Sequence, residues 1–328
     1  MAYHNVSGTA SNTTDFLVRL KDFLVGTVGW SLHDDRSGDA EPSYVLASTG
    51  ESGAEDIFLR FVNDTAADRI AVRAYLYWDA VTHAGVKEAF QTSYTYIKTV
   101  DASAFLYWIY ADKDHVFIVT KIVATYYGHY SGLIKRFWSG AVAVTQAAAG
   151  PGADITVQVN DATLFMVGLS YIIKDDAGIE RAQVSAVDTV STPNTVTLAS
   201  LVSAYTAGAK IGEDPQPVVV GNYQSPGSIY AINKFDGWAS AAGQAGSCAA
   251  AHGNFHTAAN PDQRYGLVTM FPWLVAHTTA AYKELRGELI EVYAIGSGAA
   301  DSEDVLTLNG ASYKIFNLSG PGWCAVKE

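Results

Sequence analysis

Residues 125–138 read T-Y-Y-G-H-Y-S-G-L-I-K-R-F-W, and a run of similar texture, P-V-V-V-G-N-Y, does not return until Pro217. Between them the composition changes. From Gly140 to Gly212 there is no Trp, His or Cys, the aromatic residues are Phe165, Tyr171 and Tyr205, and Ala, Val, Thr and Asp dominate. Both flanks are rich in Trp and Tyr. A small β-unit set into a loop of a larger domain accounts for the break, because chains accept insertions where loop ends are exposed and close together. The reading is therefore a discontinuous outer β domain, 1–139 with 214–328, interrupted by a small β-barrel at 140–213.

Within the insert, Asp154 to Val159 has strand character and Asn160-Asp161 turns. Phe165 to Gly168 leads into Tyr171-Ile172-Ile173, and Asp175-Asp176-Ala177-Gly178 is a hairpin turn. Glu180 to Val187 and Thr195 to Leu198 alternate, and Tyr205 to Ala209 closes the unit. Short strands at this density suit a compact barrel. Its expected core is Ile155, Val157, Val159, Phe165, Val167, Ile172, Ile173, Val184, Val187, Val196 and Leu198. Ala147 to Gly152 reads as a small-residue linker and Glu213 to Pro217 as a proline-stiffened exit, so the barrel is expected to project with few contacts to the outer domain.

Outside the insert, Thr13 or Thr14 can cap a helix over Asp15 to Val25, with Phe16, Leu20, Phe23 and Leu24 on one face and Gly26 as its stop. The remainder is mainly strand. Trp30 to His33 and Tyr44 to Ser48 bracket a polar turn containing Asp34, Asp35 and Asp39. Ile57 to Val62 and Ile70 to Trp78 alternate, and Ala104 to Tyr110 with His115 to Ala124 form a hairpin across Ala111 to Asp114. After Pro217 come strands near Val218 to Asn222, Ser228 to Ile232, Tyr265 to Pro272, Glu288 to Ala294, Leu306 to Leu308, Tyr313 to Phe316 and Trp323 to Val326. The whole is mainly β: an antiparallel sandwich-like domain with a short N-terminal helix.

Charged residues make up 16% of the chain, below the roughly 25% usual for soluble domains, while Tyr (19) and Trp (7) are abundant. Aromatic anchors with few charges suit interface cores as well as ordinary cores. The net charge of −12 excludes extended phosphate-backbone binding, which needs clustered Lys and Arg. No run of 18 apolar residues offers a membrane span, and Met1 to Ala10 lacks the pattern of a secretory signal, so synthesis in a cytoplasm is expected.

Residues capable of chemistry are scattered. Cys248, His252 and His256 recur every four residues, as metal ligands on a helix would, but Gly253 and Asn254 favour a loop. Asp34, Asp35 and Asp39 offer oxygen ligands for calcium without the closing Glu of a known loop. Asp301, Glu303 and Asp304 read as a solvated acidic turn, and Cys248 and Cys324 as reduced thiols. G-x-S-x-G, a Walker loop and a strand-linked G-x-G-x-x-G are all missing from the sequence. No catalytic residue, cofactor or metal site is assigned. The aromatic runs supply candidate interface residues: Tyr77, Trp78, Tyr107, Trp108, Tyr126, Tyr127 and Tyr130. Their rings equally suit stacking on a glycan.

In order along the chain, an amphipathic helix is followed by G-W-S-L-H-D-D (29–35), Y-V-L-A-S-T-G-E-S-G-A-E-D-I-F-L-R-F (44–61) and R-A-Y-L-Y-W-D (73–79). Then come L-Y-W-I-Y-A-D-K-D-H-V-F-I-V-T-K-I-V-A-T-Y-Y-G-H-Y-S-G-L (106–133), P-Q-P-V-V-V-G-N (215–222), G-E-L-I-E-V-Y-A-I (287–295) and G-W-C-A-V-K (322–327). This succession resembles a family of neck- and tail-associated virion proteins of tailed bacteriophages, in which the 106–133 segment runs straight into the Pro-containing strand. The insert, with D-A-T-L-F-M-V-G (161–168), D-D-A-G-I-E-R-A-Q-V (175–184), T-L-A-S-L (197–201) and Y-T-A-G-A (205–209), resembles a small barrel found in loops of phage structural proteins. The resemblance implies a structural component of a virion, in a ring or collar at neck, tail or baseplate. Its expected partners are copies of itself and other neck or tail proteins. A host-surface glycan-binding tail module is the alternative.

Overall fold

The computed structural model describes residues 3–53, 55–88, 95–136, 142–212, 219–222, 229–231, 270–278, 283–296, 300–319 and 322–328. β1 (His4–Ala10) leads into α1 (Thr13–Phe23). Six strands then form one antiparallel sheet: β2 (Ser31–Arg36), β3 (Ser43–Ser48), β4 (Ile57–Asp64), β5 (Arg69–Asp79), β6 (Ala84–Glu88) and β7 (Thr95–Lys98). The second sheet takes β1 together with β8 (Phe105–Ala111), β9 (His115–Ile122), β10 (Thr125–Gly132) and β11 (Lys135–Arg136). The chain next builds a separate six-stranded sheet from β12 (Val142–Val144), β13 (Gly152–Val159), β14 (Ser170–Lys174), β15 (Ile179–Asp188), β16 (Asn194–Leu201) and β17 (Lys210–Gly212). It then returns to the second sheet with β18 (Val219–Asn222), β19 (Ile229–Ala231), β20 (Met270–Thr278), β21 (Lys283–Ile295), β22 (Val305–Leu308), β23 (Ala311–Leu318) and β24 (Gly322–Lys327). β18 lies antiparallel beside β10, with Tyr130 opposite Gly221, so the chain resumes against the strand it left. Among the described residues the ladders are antiparallel apart from one parallel bridge between β10 and β23, Tyr126 to Leu318.

The helix departs from its sequence reading at both ends. Asn12, not a threonine, is the cap: its Oδ1 accepts from the Asp15 N–H at 2.8 Å. Nor does Gly26 stop the helix. A single π-turn, Leu24–Val28, carries the chain on because Leu24 and Val28 both have core to enter. The stop is Gly29, at φ 91°, where the N–H groups of Gly29 and Trp30 both reach the Leu24 carbonyl at 3.0 and 2.9 Å. Phe16, Leu17, Leu20 and Phe23 form the buried stripe, and Phe16 meets Phe105 and Tyr107 at ring separations of 5.6 and 5.1 Å.

Both faces of the second sheet are covered. On β8, Phe105, Tyr107, Ile109 and Ala111 point into the core shared with the helix and the first sheet. The alternate residues Trp108 and Tyr110 point into a second core with Phe316, Trp273, Leu289 and Val292. β9 divides the same way, Val116 and Ile118 against Phe117 and Val119. Burial on two sides is why these strands read as continuous apolar runs.

The inserted sheet runs β12-β17-β14-β15-β16-β13 and closes on itself. Thr145 bridges Val159, the Gln146 N–H reaches the Gln158 carbonyl at 2.8 Å, and the Asn160 N–H reaches the Val144 carbonyl at 3.1 Å. Its interior holds Val157, Val159, Phe165, Tyr171, Ile173, Val184, Val196, Leu198, Tyr205 and Ile211. Three expectations are corrected here. Val167, 62% exposed, is not core. The 147–152 stretch is not a free linker, because Ala149 is buried and exchanges both backbone hydrogen bonds with Tyr205 at 2.9 and 2.7 Å.

The third is a qualification: the barrel does make few contacts with the outer domain, but a small joint docks one end of it. Ile172 lies between the inward Tyr171 and Ile173, so the two-residue period turns it outward, where it joins Ile179 in the outer domain's core. Beside them Lys174, 2% exposed, places Nζ 3.3 Å from Asp56 Oδ2, and Lys210 reaches the same oxygen at 2.8 Å. The exit at 213–217 lies outside the described residues.

Candidate functional site

Of the seven candidate interface rings, five are used inside the chain. Trp78 is 2% exposed, donates Nε1–H to Asp34 Oδ2 at 2.8 Å and carries the Arg60 guanidinium 5.4 Å above its ring. Tyr107, Trp108, Tyr126 and Tyr130 are buried in the two cores flanking the second sheet. Their surface role is corrected because these four rings point into cores on both faces of the second sheet, not into one core with the other face open. Tyr77 and Tyr127 keep partly exposed rings; Tyr77 packs edge-on to Phe58 at 5.6 Å.

Tyr127 opens onto a cavity of about 450 Å³ lined by Ala67, Arg69, Tyr96, Lys98, Tyr127 and Ser319. It lies where β7, from the first sheet, packs across β9 and β10 of the second. Alternation on β7 sends Thr95 and Ile97 into the core and leaves Tyr96 and Lys98 on the other face. The register of β5 and β7 pairs Arg69 with Lys98, so two cations stand directly opposite each other. Like charges in that relation repel. Arg69 is compensated, with Nε 2.7 Å from Asp64 Oδ2 and its guanidinium 5.5 Å from the Tyr96 ring centre. Lys98 forms no ion pair among the described residues. Ser319 is fixed alongside by its N–H, which reaches the Tyr126 carbonyl at 2.7 Å.

The acidic candidates are engaged elsewhere. Asp34 and Asp35 are not in a turn but in β2, across a bulge between Leu32 and Asp34. Asp34 is buried and also meets His83 Nδ1 at 2.8 Å. Burial pushes its carboxyl up, but the His83 and Trp78 contacts outweigh that and hold it below the usual range. Asp35 accepts from the Ser37 N–H, and Asp39 pairs with Arg36. The three carboxylates therefore do not converge, and among the described residues no three His, Cys, Asp or Glu side chains are grouped to hold a metal. Glu303 is not simply solvated: it turns inward to Lys121 Nζ at 2.7 Å and the Tyr126 hydroxyl at 2.6 Å. Cys248, His252 and His256 lie outside the described residues. Cys324 is a buried free thiol whose pKa burial raises.

One arrangement resembles part of a catalytic triad. His115 Nδ1 lies 2.9 Å from Asp112 Oδ1, both groups are buried, and Tyr3 and Tyr130 stack on the imidazole at 5.9 and 5.3 Å. Among the described residues His115 Nε2 and the Tyr3 hydroxyl have no hydrogen-bond partner. His129, fully buried, is pulled down to about 3 by desolvation and stays neutral. These histidines sit within the cores and open on no cavity described above.

Arg69, Tyr96 and Lys98 were missed in the sequence. T-Y-I-K at 95–98 alternates, but its four residues carry no flanking turn signal, and Arg69 joins Lys98 only through the register. No protein-family model matches the chain, and no curated protein matches it.

Proposed function

We propose that this chain is a structural, non-catalytic component of a bacteriophage virion, assembling with copies of itself as a ring or collar at the neck, tail or baseplate. The ordered succession of segments quoted above supports this reading, as does the return of β18 to β10 after a barrel of separate composition. The observation that carries it is where the barrel is apolar on its outside. Its docked end is the 175–178 hairpin turn. The loop before β14 lies at the other end of that strand, beside Val184 of β15, and there Met166 is 64% exposed, Val167 62% and Leu169 46%; Val190, 90% exposed, stands in the turn beyond the end of β15. Exposed apolar groups gathered in one region mark surfaces that meet another protein. Head-to-tail contacts of such a patch with a different surface on the next copy generate rings when the rotation closes.

The test uses the parent particle. Met166→Glu with Val190→Glu should leave the melting of the isolated protein unchanged and reduce its copy number in purified particles, read by quantitative mass spectrometry. Absence of the wild-type chain from purified particles, or normal incorporation of the double variant, overturns the reading.

A further inference from the structure

We infer that the Arg69–Tyr96–Lys98–Tyr127 cavity is a binding site for an acidic saccharide, a sugar bearing a carboxylate or phosphate. About 450 Å³ falls within the range of small-ligand pockets, roughly 300–1,000 Å³. The protein carries a net charge of −12, yet two cations and no carboxylate line this cavity among the described residues. Asp64 accompanies Arg69, whereas Lys98, held opposite it by the register, has no carboxylate partner among the described residues. An anion entering the cavity relieves that repulsion and gains a charge-assisted hydrogen bond.

A bare anion would not need the rest of the lining. Tyr96 and Tyr127 come from different sheets, and both are partly exposed at the cavity. Tyrosine faces accept the C–H face of a pyranose ring, and their hydroxyls, with that of Ser319, suit its hydroxyl groups. The cation at one strand pair and the ring from the facing sheet thus recognise two parts of one ligand. Rigid strands hold each group, so little ordering accompanies binding.

This inference is independent of the assembly proposal, because it concerns the isolated chain. Titration calorimetry against trigalacturonate, glucose 1-phosphate, maltotriose and inorganic phosphate tests it. At least one of the two acidic sugars should bind, and which one does identifies carboxylate or phosphate as the recognised group. Lys98→Gln should weaken that binding about 10-fold or more, as expected for losing a charged hydrogen bond. Tyr127→Ala should weaken it comparably, with melting temperature as the check on folding. Silence of both acidic sugars, equal binding of maltotriose, or inorganic phosphate binding as well as the sugars with no effect of Tyr127→Ala each overturns the inference. Should Lys98→Gln fail to fold, Lys98→Arg, which keeps the charge, must retain binding.

Discussion

Lys174 gives the sharpest test of how the barrel is held. The side chain is 2% exposed, and burial pulls its pKa from 10.5 down to about 8 despite Asp56 nearby. The difference, 10.5 − 8 = 2.5, corresponds to about 3 kcal/mol against the charged form in the fold at neutral pH. Asp56 is 43% exposed and also has Lys210, so it does not depend on Lys174 for hydration or for a partner. Lys174→Met, of similar length and apolar, should therefore raise stability at pH 7, by about 1–3 kcal/mol after loss of the ion pair. The direction with pH follows from proton counting. Between pH 8 and 10.5 the unfolded chain holds a proton on this lysine that the folded chain has released, so the wild type gains stability across that window. Below pH 8 both states are protonated and the cost is fully present. Urea unfolding at pH 7 and pH 9.5 measures both effects, and the advantage of Lys174→Met should shrink at the higher pH. A variant less stable than wild type at pH 7, with the same pH dependence, would refute a buried, strained charge at the joint.

Two further outcomes follow from the same packing. Removing 140–212 and closing the gap with a short Gly/Ser loop should yield a poorly soluble protein, because Ile172 and Ile179 no longer cover the outer core; a soluble, cooperatively melting product would show that their contact is dispensable. Gly132, at φ 130°, has the Asp114 carbonyl where a Cβ would stand, so Gly132→Ala should cost on the order of 2 kcal/mol or more, read as a lowered urea midpoint. An unchanged midpoint would mean the β9–β10 end relaxes freely.

Where one face of a strand meets a core and the other meets solvent, the sequence was enough. Asp175 to Gly178 fell at the β14–β15 turn, and β13 to β16 came within a few residues of their observed ends, whereas β12 went unread and the closing strand β17 lies just past the segment expected to close the unit. Alternation failed where both faces are covered. From L-Y-W-I-Y-A, half the rings were expected to be available for contacts, and none on β8 is, since the second core is assembled from strands more than a hundred positions away. Ile172 shows the same limit on a smaller scale: apolar neighbours on both sides made it look like barrel core. Lys174, polar at a strand end, gave no sign of burial. The cavity was legible only through Tyr127, because the opposition of Arg69 and Lys98 is a property of register, which local composition does not encode.

The barrel's exposed apolar loop and the cationic cavity are separate for a physical reason. Helix, first sheet and second sheet bury one another so that most of the outer domain's described rings are spent within it, Tyr77, Tyr96 and Tyr127 staying partly exposed, and the docked end of the barrel closes part of what remains. The most exposed large apolar residues of the outer domain, Val81 at 88% and Val123 at 96%, stand singly between strands, and Val18, Leu32, Leu106 and Val305 are 37–48% exposed. Met166, Val167 and Leu169 of the barrel are neighbours in one loop, and Val190 stands in the turn after β15. A protein contact therefore has its best footing on the barrel, while the polar, cationic cavity between the sheets suits a soluble ligand. Substitutions at Met166 and Val190 should accordingly leave saccharide titrations unchanged, and Lys98→Gln should leave incorporation into particles unchanged. A variant that lost both properties would mean the barrel and the cavity are coupled through the Lys174–Asp56 joint, which the Lys174→Met protein would then also reveal.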